Sequence, residues 1–318
     1  MDVIEYKNYD QKYLLEVVDL WNKQLVYDPV TLKRFQQIVL FDENFNEKLF
    51  KLAVIKEKVI GFIWGVKRKF PYLERGIEPE RGWINFVAID EEYQNLKIAQ
   101  NLIKQEEQEL KAMGTKEITL CAYSPNYLNP GIDLRYEKGI KLFEKVGYDF
   151  KGDAVSMQRT LWDFTLSLSY KEKVKKLNEE GIKLLHYNDA YYTKIINFTL
   201  DNFGAGWKRN VLHAMQNNTA NDTIILCINK DDEIIGYCMR AIDNHENRFG
   251  PIGVKEELRS KGLGGVLLET MMYDMKKHGI NDMYFLWTDG PAQKFYERHG
   301  LSVYRTYRLY RKQVKDEI

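Results

Sequence analysis

The chain is short of cysteine. Its 318 residues hold three, Cys121, Cys227 and Cys238, and none are spaced as C-x-x-C. That excludes a disulfide framework and points to core thiols in a reducing compartment. An excess of one charge is also missing. Forty-seven basic and 46 acidic side chains leave a net charge of +1. Such a balance offers no electrostatic footprint for nucleic acid and no polybasic patch for a membrane. The apolar runs are strand-length, as in Thr223–Ile228, well short of the ~20 residues of a membrane span. Met1–Lys7 carries no apolar signal core, so a cytoplasmic location is expected. No His, Cys, Asp and Glu have metal-ligand spacing, so no metal is expected, and no G-x-S-x-G or Cys–His nucleophile signature appears.

What is present is a doubled pattern. From Val254 through Lys255, Arg259, Ser260, Lys261, Gly262 and Leu263 to Gly264, an apolar strand end enters a basic turn with two glycines. A long amphipathic segment follows. Successive N–H groups in such a turn point inward, and the helix N-terminus adds partial positive charge, which together make a cradle for a pyrophosphate. Ile89 to Ala99 aligns with it without gaps: Ile89 with Val254, Gln94 with Arg259, Ala99 with Gly264. The segments end in Gly114 and Gly279, expected C-terminal helix caps. One constant offset across all four pairs argues for a duplicated domain, and the length has room for two.

Periodicity gives each copy the same order: strand, two helices, a hairpin, a strand, the long helix, a strand, a short helix and a closing strand. The hairpins fall at Leu52–Val66 and Thr223–Arg240. Expected boundaries are 1–160, a helical connector over 161–180, and 181–318. The first copy carries a longer stretch before its short helix, from Ser124 to Asp133, and long loops are where specificity diverges.

The Arg259-x-x-Gly262-x-Gly264 loop resembles the acetyl-CoA loop of the GNAT superfamily of N-acetyltransferases. Asp289 to Leu301 is similar to a second motif of that family, N-x-x-A-x-x-x-Y-x-x-x-G-F, with Asp289 where Asn is usual. The resemblance implies an α/β fold of two tandem GNAT-like domains, each a mixed, mostly antiparallel sheet flanked by helices. It implies that the strand Ile252, Gly253 and Val254 pairs with the pantetheine amides of acetyl-CoA, the co-substrate. Gly250, Pro251 and Gly253 are expected to interrupt the pleat as a bulge and open a slot. Ala292 is expected to let its helix approach the cofactor, and Tyr296 to stand near the sulfur as general acid. A plain packing aromatic is the alternative for Tyr296. The general base is left between Glu246 and His245, with Asp243 beside them. His186, His278 and His299 fit capping or surface roles.

The first copy departs from the pattern at Lys97, in place of the first loop glycine, and at Phe143, in place of the tyrosine. It reads as a degenerate domain, or else as a site using another acid. The expected activity is acetyl transfer from acetyl-CoA to a small primary amine, such as an amino sugar or amino-thiol. A narrower resemblance to mycothiol synthase-like acetyltransferases points to the C-terminal copy as the active one. The alternative is an acetyl-CoA sensor or pseudo-enzyme without turnover.

Overall fold

The computed structural model describes residues 3–314 except Gln94, Asn95 and Ser260. It divides into two compact units, Met1–Ala154 with Thr306–Ile318, and Val155–Arg305.

In the N-terminal unit, β1 (Glu5–Asn8) leads to α1 (Leu14–Gln24) and the short α2 (Leu32–Phe35). The hairpin β2 (Phe50–Ile55) and β3 (Lys58–Val66) follows, buried along nearly its whole length. Lys56 and Glu57 form its turn with φ of 46° and 64°, the backbone twist that suits a tight hairpin. Then come β4 (Arg81–Ile89), α3 (Leu96–Ala112), β5 (Glu117–Leu120), β6 (Ile132–Asp133), α4 (Glu137–Lys145) and the start of β7 (Asp149–Thr160). The sheet order is β1-β2-β3-β4-β5, antiparallel except for the parallel β4–β5 pair. One face packs around Trp21, Phe62 and Trp64, the other around α3 through Ile98, Leu102 and Leu110.

The C-terminal unit repeats the plan. Its elements are α5 (Leu168–Glu179), β8 (Lys183–His186), α6 (Tyr192–Phe203), α7 (Ala205–Gln216), α8 (Ala220–Thr223), β9 (Ile224–Ile228), β10 (Ile234–Arg240) and β11 (Phe249–Val254). They are followed by α9 (Leu263–Lys277), β12 (Asp282–Thr288), α10 (Gly290–Arg298) and β13 (Ser302–Gln313). Strands β8 to β11 form an antiparallel meander. Helix α9 covers it with Leu263, Val266, Leu267, Met271 and Met275, the i, i+3, i+4 stripe expected of a half-buried helix. The two long helices do end in left-handed glycines, Gly114 at φ 84° and Gly279 at φ 78°.

The closing strands differ from expectation. The sequence pattern places residues 306–313 in the second copy, yet they pair in the N-terminal unit, with Arg311 opposite Thr119 and Tyr307 opposite Asp133. Tyr307 and Tyr310 are buried there, and the Tyr310 hydroxyl donates to Glu144 at 2.6 Å. Within the C-terminal unit, β12 finds its antiparallel partner in residues 155–160, with Phe285 opposite Met157. Hydrophobic alternation identifies a strand but carries no label for its partner. The stretch expected as a connector contains a helix, α5, which packs on α9 through Tyr170, Val174 and Leu177.

One buried carboxyl in the N-terminal unit has no hydrogen-bond partner among the described residues. Glu106 on α3 is fully buried, both its carboxylate oxygens lack a hydrogen bond, and it lies against Gly65, where a Cβ would sit 2.2 Å from its Oε1. Burial holds its carboxyl well above the usual carboxylate range, with Lys51 pulling the other way. The folded chain therefore keeps a proton that the unfolded chain releases above about pH 4.5. Stability from this group is full below that pH and is lost as pH rises toward the folded value. Glu106→Gln should remove the loss. Urea midpoints should show the variant more stable than the parent at pH 8, by about 1–3 kcal/mol, with the gap closing near pH 4.5. Parallel curves for the two proteins would show that Glu106 is ionised in the fold.

Candidate active site

In the C-terminal unit the site begins where two strands part. β12 meets β11 only near its start, through the parallel bridge Arg248–Tyr284 and the Tyr284 N–H donating to the Asn247 carbonyl at 3.1 Å. Beyond it, β11 is paired on one side alone, to β10. The expected bulge is there: Cys238 faces Ile252 and Arg240 faces Phe249, so Gly250 and Pro251 stand opposite the single Met239. The extra residue bends β11 away from β12 and leaves its edge open. Ile252 is half-buried, and Gly253 and Val254 are buried.

At the end of β11 the chain makes a 3₁₀ turn, Glu256–Leu258, and reaches Arg259 in extended conformation. Arg259 is exposed, 3.8 Å from Glu256, and Lys261 is exposed as well. Ser260 lies outside the described residues. Gly262 caps α9 at φ 84°, a left-handed conformation that a side chain disfavours. The N–H groups of Leu263, Gly264 and Gly265 open the helix, and the first turn of a helix leaves such donors without intrahelical acceptors. Sequence reading missed a cation here. Lys173 of α5 brings its chain within 3.7 Å of the Cβ position at Gly262. From the sequence alone, residues 161–180 read only as a helical connector.

Tyr296 of α10 stands in the parting of the strands. Its ring lies 4.5 Å from that of Phe285 on β12 and 6.5 Å from that of Phe249 on β11. Burial raises its phenol above the ordinary tyrosine value, so the hydroxyl keeps its proton through the neutral range. Asp289 precedes α10 and is exposed, as is Ala292. His299 caps the end of α10 with Nδ1 2.9 Å from the Phe295 carbonyl, and His278 does the same for α9 at the Asp274 carbonyl. His186 pairs with Asp274 at 3.1 Å.

The loop ahead of β11 is wound tightly. Ala241, Asp243 and Asn244 all have φ between 52° and 63°, conformations that persist only when their surroundings enforce them. Asp243 supplies part of that enforcement, accepting from Arg248 at 2.9 Å and lying 3.4 Å from Arg209. Glu246 and His245 are exposed on the same loop. The structure thus ties Asp243 into ion pairs and leaves Glu246 in solvent. A further feature was invisible in sequence. Phe203 and Trp207 stack at 4.2 Å, and a Cβ on Gly253 would sit 2.3 Å from Phe203 and 2.7 Å from Trp207. Both rings are part exposed, beside Tyr237 on β10.

The N-terminal unit has the same parting. β4 and β5 pair from Arg81–Glu117 to Ile84–Leu120, and β4 then runs on to Ile89 paired on its other side, to β3. Lys97 is helical where Gly262 is left-handed, because α3 begins at Leu96. Lysine resists the left-handed conformation that turns the loop, so the helix extends into it. Phe143 is buried and faces Tyr148, as befits a packing ring. Nevertheless a cleft of about 850 Å³ lies here, from Leu25 and Asp28 past Asn85, Cys121 and Phe143 to Lys141 and Lys145. The long Ser124–Asp133 stretch supplies part of its wall, with the Asn129 side chain donating to Asp28 at 3.0 Å.

All three cysteines are free and buried. Among the described residues no group of three or more His, Cys, Asp and Glu could hold a metal ion, and no helix is long and apolar enough to cross a membrane.

No curated protein matches the chain. Among solved structures, a GCN5-related glucosamine N-acetyltransferase region of a fungal multi-domain GH3 β-N-acetylglucosaminidase superposes at TM-score 0.78 with 17% identity, over 98% of this chain. The chain spans only 38% of that larger protein. A GCN5-related N-acetyltransferase from Sphaerobacter thermophilus superposes at 0.71 with 14% identity, covering 99% of this chain and 97% of its own. A tandem GNAT protein from the clavulanic acid biosynthesis pathway does so at 0.64 with 10% identity, over 99% and 100%. These likenesses establish the fold. The family model of the acetyltransferase (GNAT) family matches twice, over residues 14–148 and 192–301. With two parted sheets, each followed by a long helix, and a family match in each half, the chain belongs to the GNAT acetyltransferases.

Proposed function

We propose that the C-terminal unit transfers an acetyl group from acetyl-CoA to a small primary amine by direct attack in a ternary complex. The observation that carries this reading is the open edge of β11 leading straight into the left-handed Gly262. An extended arm can pair with the strand while its phosphates meet the amides of the helix start. Arg259, just ahead of the turn, and Lys173, against Gly262, add positive charge there. The family uses acetyl-CoA as co-substrate, and these residues suit it.

Tyr296 is the proposed acid. The amine nitrogen attacks the acetyl carbon, a C–N bond forms as the C–S bond breaks, and the departing sulfur takes the Tyr296 proton. The ammonium proton leaves through water toward Glu246, the proposed base, which is exposed to that water. Phe203 and Trp207 beside Gly253 supply flat, part-exposed faces, which suit a small cation or a sugar ring. The net charge of only +1 favours a small molecule over nucleic acid or a membrane. The buried free thiols fit a cytoplasmic setting.

Screening amines with acetyl-CoA for thiol release tests the reading directly, and a chain that binds acetyl-CoA but releases no thiol with any amine would make it a sensor. Tyr296→Phe keeps the ring against Phe285 and deletes only the hydroxyl. Its kcat should fall by about 10²–10⁴ with acetyl-CoA affinity and melting temperature held. Undiminished turnover under chemistry-limited conditions would move the acid elsewhere. Gly262→Lys should raise the KM for acetyl-CoA at least about tenfold, through a strained turn and a filled cradle. Lys173→Ala and Arg259→Ala should each weaken acetyl-CoA more than S-acetylpantetheine in calorimetry. Equal losses for both ligands would show these cations to be packing residues.

A further inference from the structure

Two arginines converge on one aspartate just ahead of β11. Arg248 Nη1 donates to Asp243 Oδ2 at 2.9 Å, and Arg209 Nη1 of α7 lies 3.4 Å from Asp243 Oδ1. One carboxylate cannot balance two guanidiniums, so the cluster keeps a net positive charge. Arg305 adds to it, acting together with Arg248 on the Tyr304 hydroxyl. Asp243 is itself fixed in a left-handed conformation, at φ 52° and ψ 36°, and serves as a mount that orients both side chains. Arg209, Asp243 and Arg248 are all only part-buried, and each guanidinium has five N–H donors, more than one aspartate can occupy.

The cluster lies on the face of the sheet opposite the cofactor helix. Phe249, Ile252 and Val254 of β11 pack with α9 and Tyr296, whereas Tyr237 and Met239 of β10 pack with Val211 of α7. Successive strand side chains point to opposite faces. Arg248, one residue before Phe249, turns to Asp243 and through it toward α7. Phe249 is the ring that stands 6.5 Å from Tyr296. The cations are therefore one residue along the chain from the parting of the strands, on its far side. A thioester held against α9 leaves that side to the amine.

We propose that the acceptor is an amine that also carries a carboxylate or phosphate, which the Arg209 and Arg248 guanidiniums hold while the nitrogen enters the parting between β11 and β12. Asp243 is a positioning residue that orients the pair. A guanidinium fork suits the oxygens of carboxylate and phosphate alike. The closeness of Arg248 to Phe249 calls for a short substrate, with its anion a few bonds from the nitrogen. The inference rests on the transfer reading above for the place of the thioester.

Thiol release from acetyl-CoA with matched amines tests it: β-alanine against propylamine, O-phosphoethanolamine against ethanolamine, and glucosamine 6-phosphate against glucosamine. In at least one pair the anionic member should have the higher kcat/KM by at least about tenfold, the worth of one charged hydrogen bond. A preference in the first pair identifies a carboxylate, and in the other two a phosphate. Arg209→Ala and Arg248→Ala should each cut that ratio at least about tenfold, through the KM of the anionic member, with the KM for acetyl-CoA held. Should the arginine variants fail to fold, Asp243→Asn keeps a residue that tolerates the left-handed conformation and removes the competing carboxylate. The KM of the anionic member should then fall, and an unchanged or higher one overturns the proposal. It is also overturned if no pair favours its anionic member, or if the preference survives both arginine substitutions. A loss shared equally by both members of a pair overturns it too, and marks the arginines as braces of the loop. Failure of the transfer reading alone looks different. No amine then releases thiol, yet calorimetry on the CoA-loaded chain shows O-phosphoethanolamine or β-alanine binding more tightly than its neutral counterpart and losing that advantage with Arg248→Ala. Neither thiol release nor such a difference in binding overturns both.

Discussion

A β-strand that loses its neighbour leaves a row of backbone donors and acceptors open, and that loss governs this protein. In the C-terminal unit, β11 carries one residue too many against β10, at Gly250 and Pro251. The bend this forces separates it from β12 after a single bridge. The open edge, the turn at its end and the aromatic ring of Tyr296 within the gap all depend on that separation. Proline contributes by lacking an N–H, so the position could not have completed a ladder. Gly253 contributes by lacking a side chain, which lets Phe203 and Trp207 close on the strand. An unpaired strand edge is ordinarily a liability. Here the Tyr296 ring of α10 stands beside it, 6.5 Å from that of Phe249.

The two copies show how one substitution redirects a loop without abolishing the cavity behind it. Glycine at 262 holds φ at 84°, and α9 starts after it. Lysine at 97 is taken into α3, which starts at residue 96. The strand parting is untouched, because it is set by β4 and β5 and not by the helix start. A domain that reads as degenerate in its loop therefore keeps a cleft of ligand size. Its other departure, Phe143, fills its place as a packing ring beside Tyr148.

Buried polarity is distributed unevenly between structure and site. Glu106 is enclosed by its own sheet and helix and lies beneath Gly65. Asn85 lacks a partner at its Nδ2 alone and faces an opening. The same desolvation cost acts on both groups. Only the second can be relieved by a molecule entering from solvent, and that difference in access separates a strained core from a candidate binding group.

Much was legible in the residues alone. The duplication, the order of elements, the bulge at Gly250–Pro251, the left-handed capping glycines and the loop from Arg259 to Gly264 follow from short-range chemistry: backbone freedom, missing donors, and apolar spacing along a few turns. The family follows from those same motifs. Other features were decided only by tertiary structure. Residues 306–313 pair in the N-terminal unit and 155–160 beside β12, because strand partnership depends on which edges meet. Lys173 reaches the Gly262 turn because α5 packs on α9, and Phe203 reaches Gly253 because α6 packs on the neighbouring β10. Asn85 is an ordinary strand residue until β4 outruns β5. Local propensity acts between near neighbours, whereas each of these placements joins residues far apart in the chain, where spacing carries no record of approach.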